Sequence, residues 1–152
     1  MKPMVAAVGF LLLSAMPALA ANMALCGPTE TDAAPRPLPQ RLIDMARTSF
    51  GYTQMPADVV TRMTVFRCAA GQPLLCSLGA NLPCGKANAA SSLPAVTQYC
   101  AANPQSDVVP AYVAGHDSLY QWRCADGRAL ASSPAALDAQ GYFAEYWKAV
   151  NP

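Results

Sequence analysis

Apolar and polar side chains divide this chain into one continuous apolar run and several short periodic segments. The run is Val5 to Met16, with Lys2 before it and Pro17-Ala-Leu-Ala20 behind it. A charged start, a short apolar stretch and a small-x-small end predict a secretory signal peptide over residues 1–20, cleaved before Ala21. A spanning helix needs about 20 apolar residues, so no stable membrane insertion is expected after cleavage. Cys26 follows closely, but Leu25 is large where a lipid-attachment site takes a small residue.

Residues 21–38 carry Pro28, Pro35 and Pro37 and few apolar side chains, the composition of an extended tether. From Pro39 to Ser49 the period turns helical, with Leu42, Ile43, Ala46 and Phe50 on one stripe and Gly51 as a stop. Val59 to Cys68 roughly alternates and predicts a strand, with its return over Pro73 to Leu78. A Gly-, Pro- and Asn-bearing loop follows. Pro94 to Ala102 reads as a helix with Val96, Tyr99 and Cys100 on one face, ended by Asn103-Pro104. Val108–Val113, Leu119–Cys124 and Arg128–Ala131 predict a meander with Tyr120, Trp122 and Cys124 on one side. Tyr142, Phe143, Tyr146, Trp147 and Val150 recur at helical spacing, so helix is preferred over strand there, with the aromatics in the core.

One frame occurs twice. Phe66-Arg-Cys-Ala-Ala-Gly-Gln-Pro-Leu-Leu-Cys-Ser77 aligns without gaps on Trp122-Arg-Cys-Ala-Asp-Gly-Arg-Ala-Leu-Ala-Ser-Ser133. Each reads as aromatic strand, cysteine, Gly-centred turn and second strand, and Asp126-Gly127 suits a type I′ hairpin turn. The expected fold is α+β: a small antiparallel sheet built on two related hairpins, short helices packed on it, and disulfide staples. Residues 39–152 would form this single domain.

Charge adds little. Without Lys2, nine basic residues balance nine acidic ones, which marks neither a nucleic-acid surface nor an acidic one. Cysteine changes more: Cys26, Cys68, Cys76, Cys84, Cys100 and Cys124 give an even count in an exported chain, so disulfides are expected. Spacing does not choose the connectivity. The preferred local pair is Cys84–Cys100, around the loop and helix between them. A two-residue turn would put Cys68 and Cys76 on opposite faces, unable to bond; a longer one would reverse that. C-x-x-C is absent and His116 is the only histidine, so no metal and no cofactor are expected.

Candidate chemistry is thin. The chain's only histidine, His116, stands in succession with Asp117 and Ser118 in the Ala114–Ser118 turn. Adjacent residues in a turn do not readily converge on one reacting atom, and Asp and Ser are ordinary turn formers. Asp107, Asp117, Asp126, Asp138 and Glu145 form no obvious carboxylate pair. Asn81, Lys86 and Asn88, in the loop after the first hairpin, form a candidate contact surface.

The aromatic-x-Cys-x-x-Gly hairpin resembles the opening strand of periplasmic inhibitors of C-type lysozyme, over roughly the length of each repeat copy. That resemblance implies inhibition of an enzyme; the Ser/Gly-rich inhibitory loop of the family is not found, and no residue role is carried over. The expected function is a non-enzymatic binding protein, periplasmic or secreted, whose partner is a protein or envelope component. A lysozyme-inhibitor-like protein and a small envelope hydrolase are the alternatives.

Overall fold

The structure is a computed structural model and describes residues 25–79 and 83–151. The expected signal peptide at residues 1–20 and the candidate contact Asn81 lie outside the described residues. In chain order, β1 (Arg36–Pro37) leads through a 3-10 turn to α1 (Ile43–Phe50) and α2 (Ala57–Met63). Strands β2 (Thr64–Ala69) and β3 (Gln72–Ser77) follow, then α3 (Pro94–Ala102) and α4 (Ala111–Ala114). The chain ends with β4 (Tyr120–Ala125), β5 (Arg128–Pro134), a second 3-10 turn and β6 (Trp147–Ala149). Helices with antiparallel sheets make the fold α+β.

The strands divide between a four-stranded sheet, β1-β2-β3-β6, and a separate pair, β4-β5. The two hairpins therefore stand in different sheets rather than building one. Each turns on two residues with positive φ: Ala70 at 49° and Gly71 at 82°, Asp126 at 50° and Gly127 at 73°. That is the type I′ combination, whose twist matches that of the flanking strands. Each turn sets the same register, Arg67 opposite Leu74 and Arg123 opposite Leu130.

The two-residue turn also settles the cysteines, because it sends Cys68 and Cys76 to opposite faces. Cys68 bonds to Cys26, Cys76 to Cys84, and Cys100 to Cys124. The expected Cys84–Cys100 bond is not formed. Cys84 packs with Tyr142 and Trp147 against Cys76, whereas Cys100, on the buried face of α3, packs against the second hairpin at Cys124.

Four further expectations are corrected. Val59 to Met63 belongs to α2, not to a strand: Pro56 caps the helix, Asp58 stands in its first turn, and Arg62 pairs with Asp58 one turn back. Only from Thr64 does the chain extend. After Pro110, Ala111–Ala114 makes one helical turn where Val108–Val113 was expected to be the first strand of a meander. Residues 142–150 form a 3-10 turn and β6, not a helix, because β3 has a second edge whose polar groups need a partner; Trp147–Ala149 supply it. The Pro-rich segment is not a spacer along residues 25–38. Leu25, Cys26 and Leu38 are buried, β1 pairs with β2, and Asp32 N donates to Cys68 O at 2.9 Å.

Three apolar clusters result. Leu42, Ile43, Ala46 and Val60 pack on Phe66 and Leu75 from one face of the larger sheet. Tyr142 and Trp147 pack with the Cys76–Cys84 bridge from the other. Val96, Cys100, Val109 and Ala114 pack on Trp122 and Cys124 of the second hairpin. Among the described residues, no helix is long and apolar enough to cross a membrane.

Candidate binding groove

The fold brings together two segments that are distant in sequence. Asn88 N donates to Asp117 O at 2.7 Å, and Leu119 N donates to Asn88 O at 2.9 Å. Asn88 thus stitches the loop after the first hairpin to the His116–Ser118 turn. Its side-chain Oδ1 accepts from Ala90 N at 3.1 Å, so much of this residue is spent on local structure. Lys86 is bridged to Tyr142 through the backbone, and its Nζ lies 5.8 Å from the Tyr142 ring centroid, within reach of the ring face.

His116 and Asp117 are exposed, and Ser118 is half-buried. The Ser118 hydroxyl donates to Tyr120 O at 2.9 Å and accepts from Trp122 Nε1 at 2.9 Å. A serine nucleophile must pass its proton to a base. This proton is held by a backbone carbonyl, and the oxygen is occupied by an indole N–H. Ser118 braces Trp122, and in this arrangement it is not set up to attack.

Beside that brace lies a groove of about 780 Å3. One wall is the extended stretch Asp107–Pro110 with α4; the other is Tyr120–Arg123 of β4, with Ser132 of β5. The first wall is fixed to the second by Val109 N donating to Trp122 O at 2.8 Å and Cys124 N to Ser106 O at 2.7 Å. Its lining mixes apolar Val108, Pro110 and Trp122 with the polar groups of Asp107, His116, Gln121 and Arg123. Val108 is 70% exposed, and on α4 Tyr112 is 81% exposed, an unusual outlay of large apolar surface for so small a chain. An apolar cleft with a few polar groups is the usual form of a ligand site.

A second constellation is internal. Arg67 is fully buried, with its guanidinium 4.2 Å from the Tyr142 ring centroid and 4.5 Å from that of Trp147. Its Nη2 pairs with Asp138, and its Nη1 donates to Gln140 Oε1 at 3.3 Å. The other Asp138 oxygen accepts from Gln140 N at 2.9 Å and Tyr142 N at 3.1 Å, which ties the loop to the ion pair. Burial pushes the Tyr142 phenol up from its ordinary pKa; the Arg67 cation pulls the other way, and Asp138 and Asp32 add to the rise. Sequence reading missed this cluster, because Asp138 looked like one scattered carboxylate among several. The available signal was an arginine inside a strand whose neighbours on the same face are Val65 and, across the hairpin, Leu74 and Cys76.

Glu30, Asp32 and Cys68 also bring possible ligand atoms within 4.8 Å of one another. Arg36 Nη2 lies among them, 3.0 Å from Glu30 Oε1 and 2.8 Å from Asp32 Oδ2, and the Cys68 sulfur is bonded to Cys26. A guanidinium already fills the role a cation would take.

No protein-family model, curated protein or solved structure matches this chain.

Proposed function

We propose that this is an exported, non-enzymatic binding protein of a bacterial envelope or its surroundings, and that it seats a protein or envelope component in the groove beside β4. The observation that carries this reading is the groove itself: an apolar-walled cleft flanked by highly exposed Val108 and Tyr112, with the adjoining Ser118 hydroxyl committed to the fold. Three disulfides and a signal-like start at residues 1–20 support a periplasmic or secreted location, since such bonds persist in oxidising compartments. The repeated frame and the shared turn and register support a further element of the proposal, that the two hairpins are copies of one unit.

The test is a comparative capture from envelope extract with the disulfide-bonded protein and its Val108→Asp variant. A component retained by the parent and lost from the variant supports the groove. Equal retention places binding elsewhere. Hydrolysis of esters, peptides or glycans that disappears in Ser118→Ala or His116→Ala would overturn the non-enzymatic reading in favour of an envelope hydrolase.

A further inference from the structure

The two hairpins match beyond their turns. Gly71 N donates to Glu30 O at 2.8 Å, and Gly127 N donates to Pro104 O at 3.1 Å. Glu30 and Pro104 each lie four residues after a cysteine, Cys26 and Cys100, and those cysteines bond to the matching hairpin positions Cys68 and Cys124. In this frame Arg67 corresponds to Arg123, Leu74 to Leu130, and β3 to β5.

What differs is the covering. Over the first hairpin the chain lays its own C-terminal segment. Asp138 pairs with Arg67, Tyr142 and Trp147 stack on it, and Trp147–Ala149 add a strand to the outer edge of β3. Over the second hairpin no such segment lies among the described residues. Arg123 is exposed, Leu130 is 37% exposed, and among the described residues β5 has β4 as its only strand neighbour. An arginine, a leucine and a strand edge are thus presented together in the arrangement that the first copy uses to hold an extended segment.

We infer that the β4-β5 hairpin takes an extended peptide segment of a protein partner, which adds a strand to β5 and brings an aromatic ring and a carboxylate to Arg123. This rests on the groove being the binding site, since Gln121, Arg123 and Ser132 of the same face line it. Main-chain pairing to an open strand edge supplies affinity that is indifferent to sequence, and a guanidinium selects a planar anion and a ring face. The first copy faces its cover with Val65 and Cys76; in the aligned sequence the second has Gln121 and Ser132, both exposed, where the β4-β5 ladder is irregular. That face stays wetted when empty, which suits a partner that comes and goes.

The probe is a synthetic peptide of residues 136–150, titrated into the isotope-labelled, disulfide-bonded full protein and followed by amide NMR shifts. Saturable shifts are expected at Ala129, Leu130 and Ala131 and at the Arg123 side chain. Arg123→Ala should weaken binding by about tenfold or more, as should Asp138→Asn in the peptide, for the loss of one charge-assisted contact. Leu130→Asp is a second exposed substitution that keeps the test open should the first perturb the protein. Shifts confined to Val108, Ser118 and Tyr120 would overturn this inference and leave the groove reading standing. Absence of any shift would overturn it as well, and so would shifts at Leu75 and Trp147, which would mean displacement at the first hairpin. Dilution-dependent shifts along β5 without peptide would make a second copy the occupant and the peptide proposal wrong.

Discussion

Arg67 and Arg123 stand at the same place in two similar hairpins, yet one is fully buried and the other faces water. Both are flanked by an aromatic and a cysteine, and both lie opposite a leucine. The strand therefore does not decide the fate of its arginine; the segment that arrives later does. Taking a guanidinium out of water costs several kcal/mol. At Arg67 that cost is offset by the Asp138 carboxylate, the Gln140 amide and two ring faces. Arg67 Nε and Trp147 Nε1 are buried without a hydrogen-bond partner among the described residues, so the stacked rings carry part of the compensation. In return, the path of the C-terminal segment across the first hairpin is fixed.

The contrast breaks most visibly at the arginines themselves. Arg67→Ala should cost about 3–5 kcal/mol, toward the upper end, because Asp138 is left without its cation and two ring stacks are lost. Arg123→Ala should change stability by about 0.5 kcal/mol or less, as at an ordinary surface site. Denaturant melts of the two variants check this, and similar losses would contradict it.

The bridges, in contrast, should make the hairpins alike. Removing Cys26–Cys68, with a separation of 42 residues, should cost about 4 kcal/mol in the chain-entropy picture. Removing Cys100–Cys124, with a separation of 24, should cost about 3.5 kcal/mol. Double Cys→Ala variants measure both, and thiol labelling of the unfolded parent without reductant should find almost no free thiol.

A smaller difference lies at the turns. Both central glycines have positive φ, but a Cβ at Gly71 would sit 2.3 Å from Pro28 O, whereas at Gly127 the nearest atom is Cys100 O at 3.9 Å. Gly127→Ala should cost about 1 kcal/mol for the left-handed backbone alone. Gly71→Ala should cost about 3 kcal/mol, because the docked N-terminal segment must also move. Thermal melts separate the two.

The smallest effect is one of pH. Burial raises the Tyr142 pKa above its ordinary 10.0 in the folded protein. The unfolded chain then loses that proton first, so the contribution is whole below about pH 10 and is lost as pH rises toward the folded value. Tyr142→Phe should flatten part of the alkaline decline in stability, and an unchanged decline would assign it to other groups, among them Tyr146, whose pKa burial also raises.

Much of the second hairpin was legible because its signals are local. Asp126-Gly127 names its turn, and alternation puts Trp122 and Cys124 inside. Helix α3 was legible from Pro94 and Asn103 at its ends. What was hidden depends on distant partners. Val59-Val60 looks like strand, but Pro56 and the Asp58–Arg62 pair make it helical, and Val60 is buried in the α1-α2 cluster. The 142–150 aromatics have helical spacing, yet the waiting edge of β3 draws Trp147 and the two residues after it into β6. The Pro-rich start looks like a spacer because nothing local shows that Cys26 will be tied to Cys68. For the candidate site, sequence named His116, Asp117 and Ser118 but not the groove beside them, whose walls meet only after β4 pairs with the 106–109 segment.

Amide hydrogen exchange at two matching residues tests the account most directly. Leu75 on β3 pairs with Lys148 of β6, whereas Ala131, its counterpart on β5, has no strand on that side among the described residues. In a two-residue hairpin both amides point away from the partner strand. Exchange in the native protein should leave Leu75 protected to near the global unfolding limit and Ala131 almost unprotected. Equal protection at the two residues would mean that the second hairpin is already covered, and would contradict the contrast between a closed hairpin and an open one.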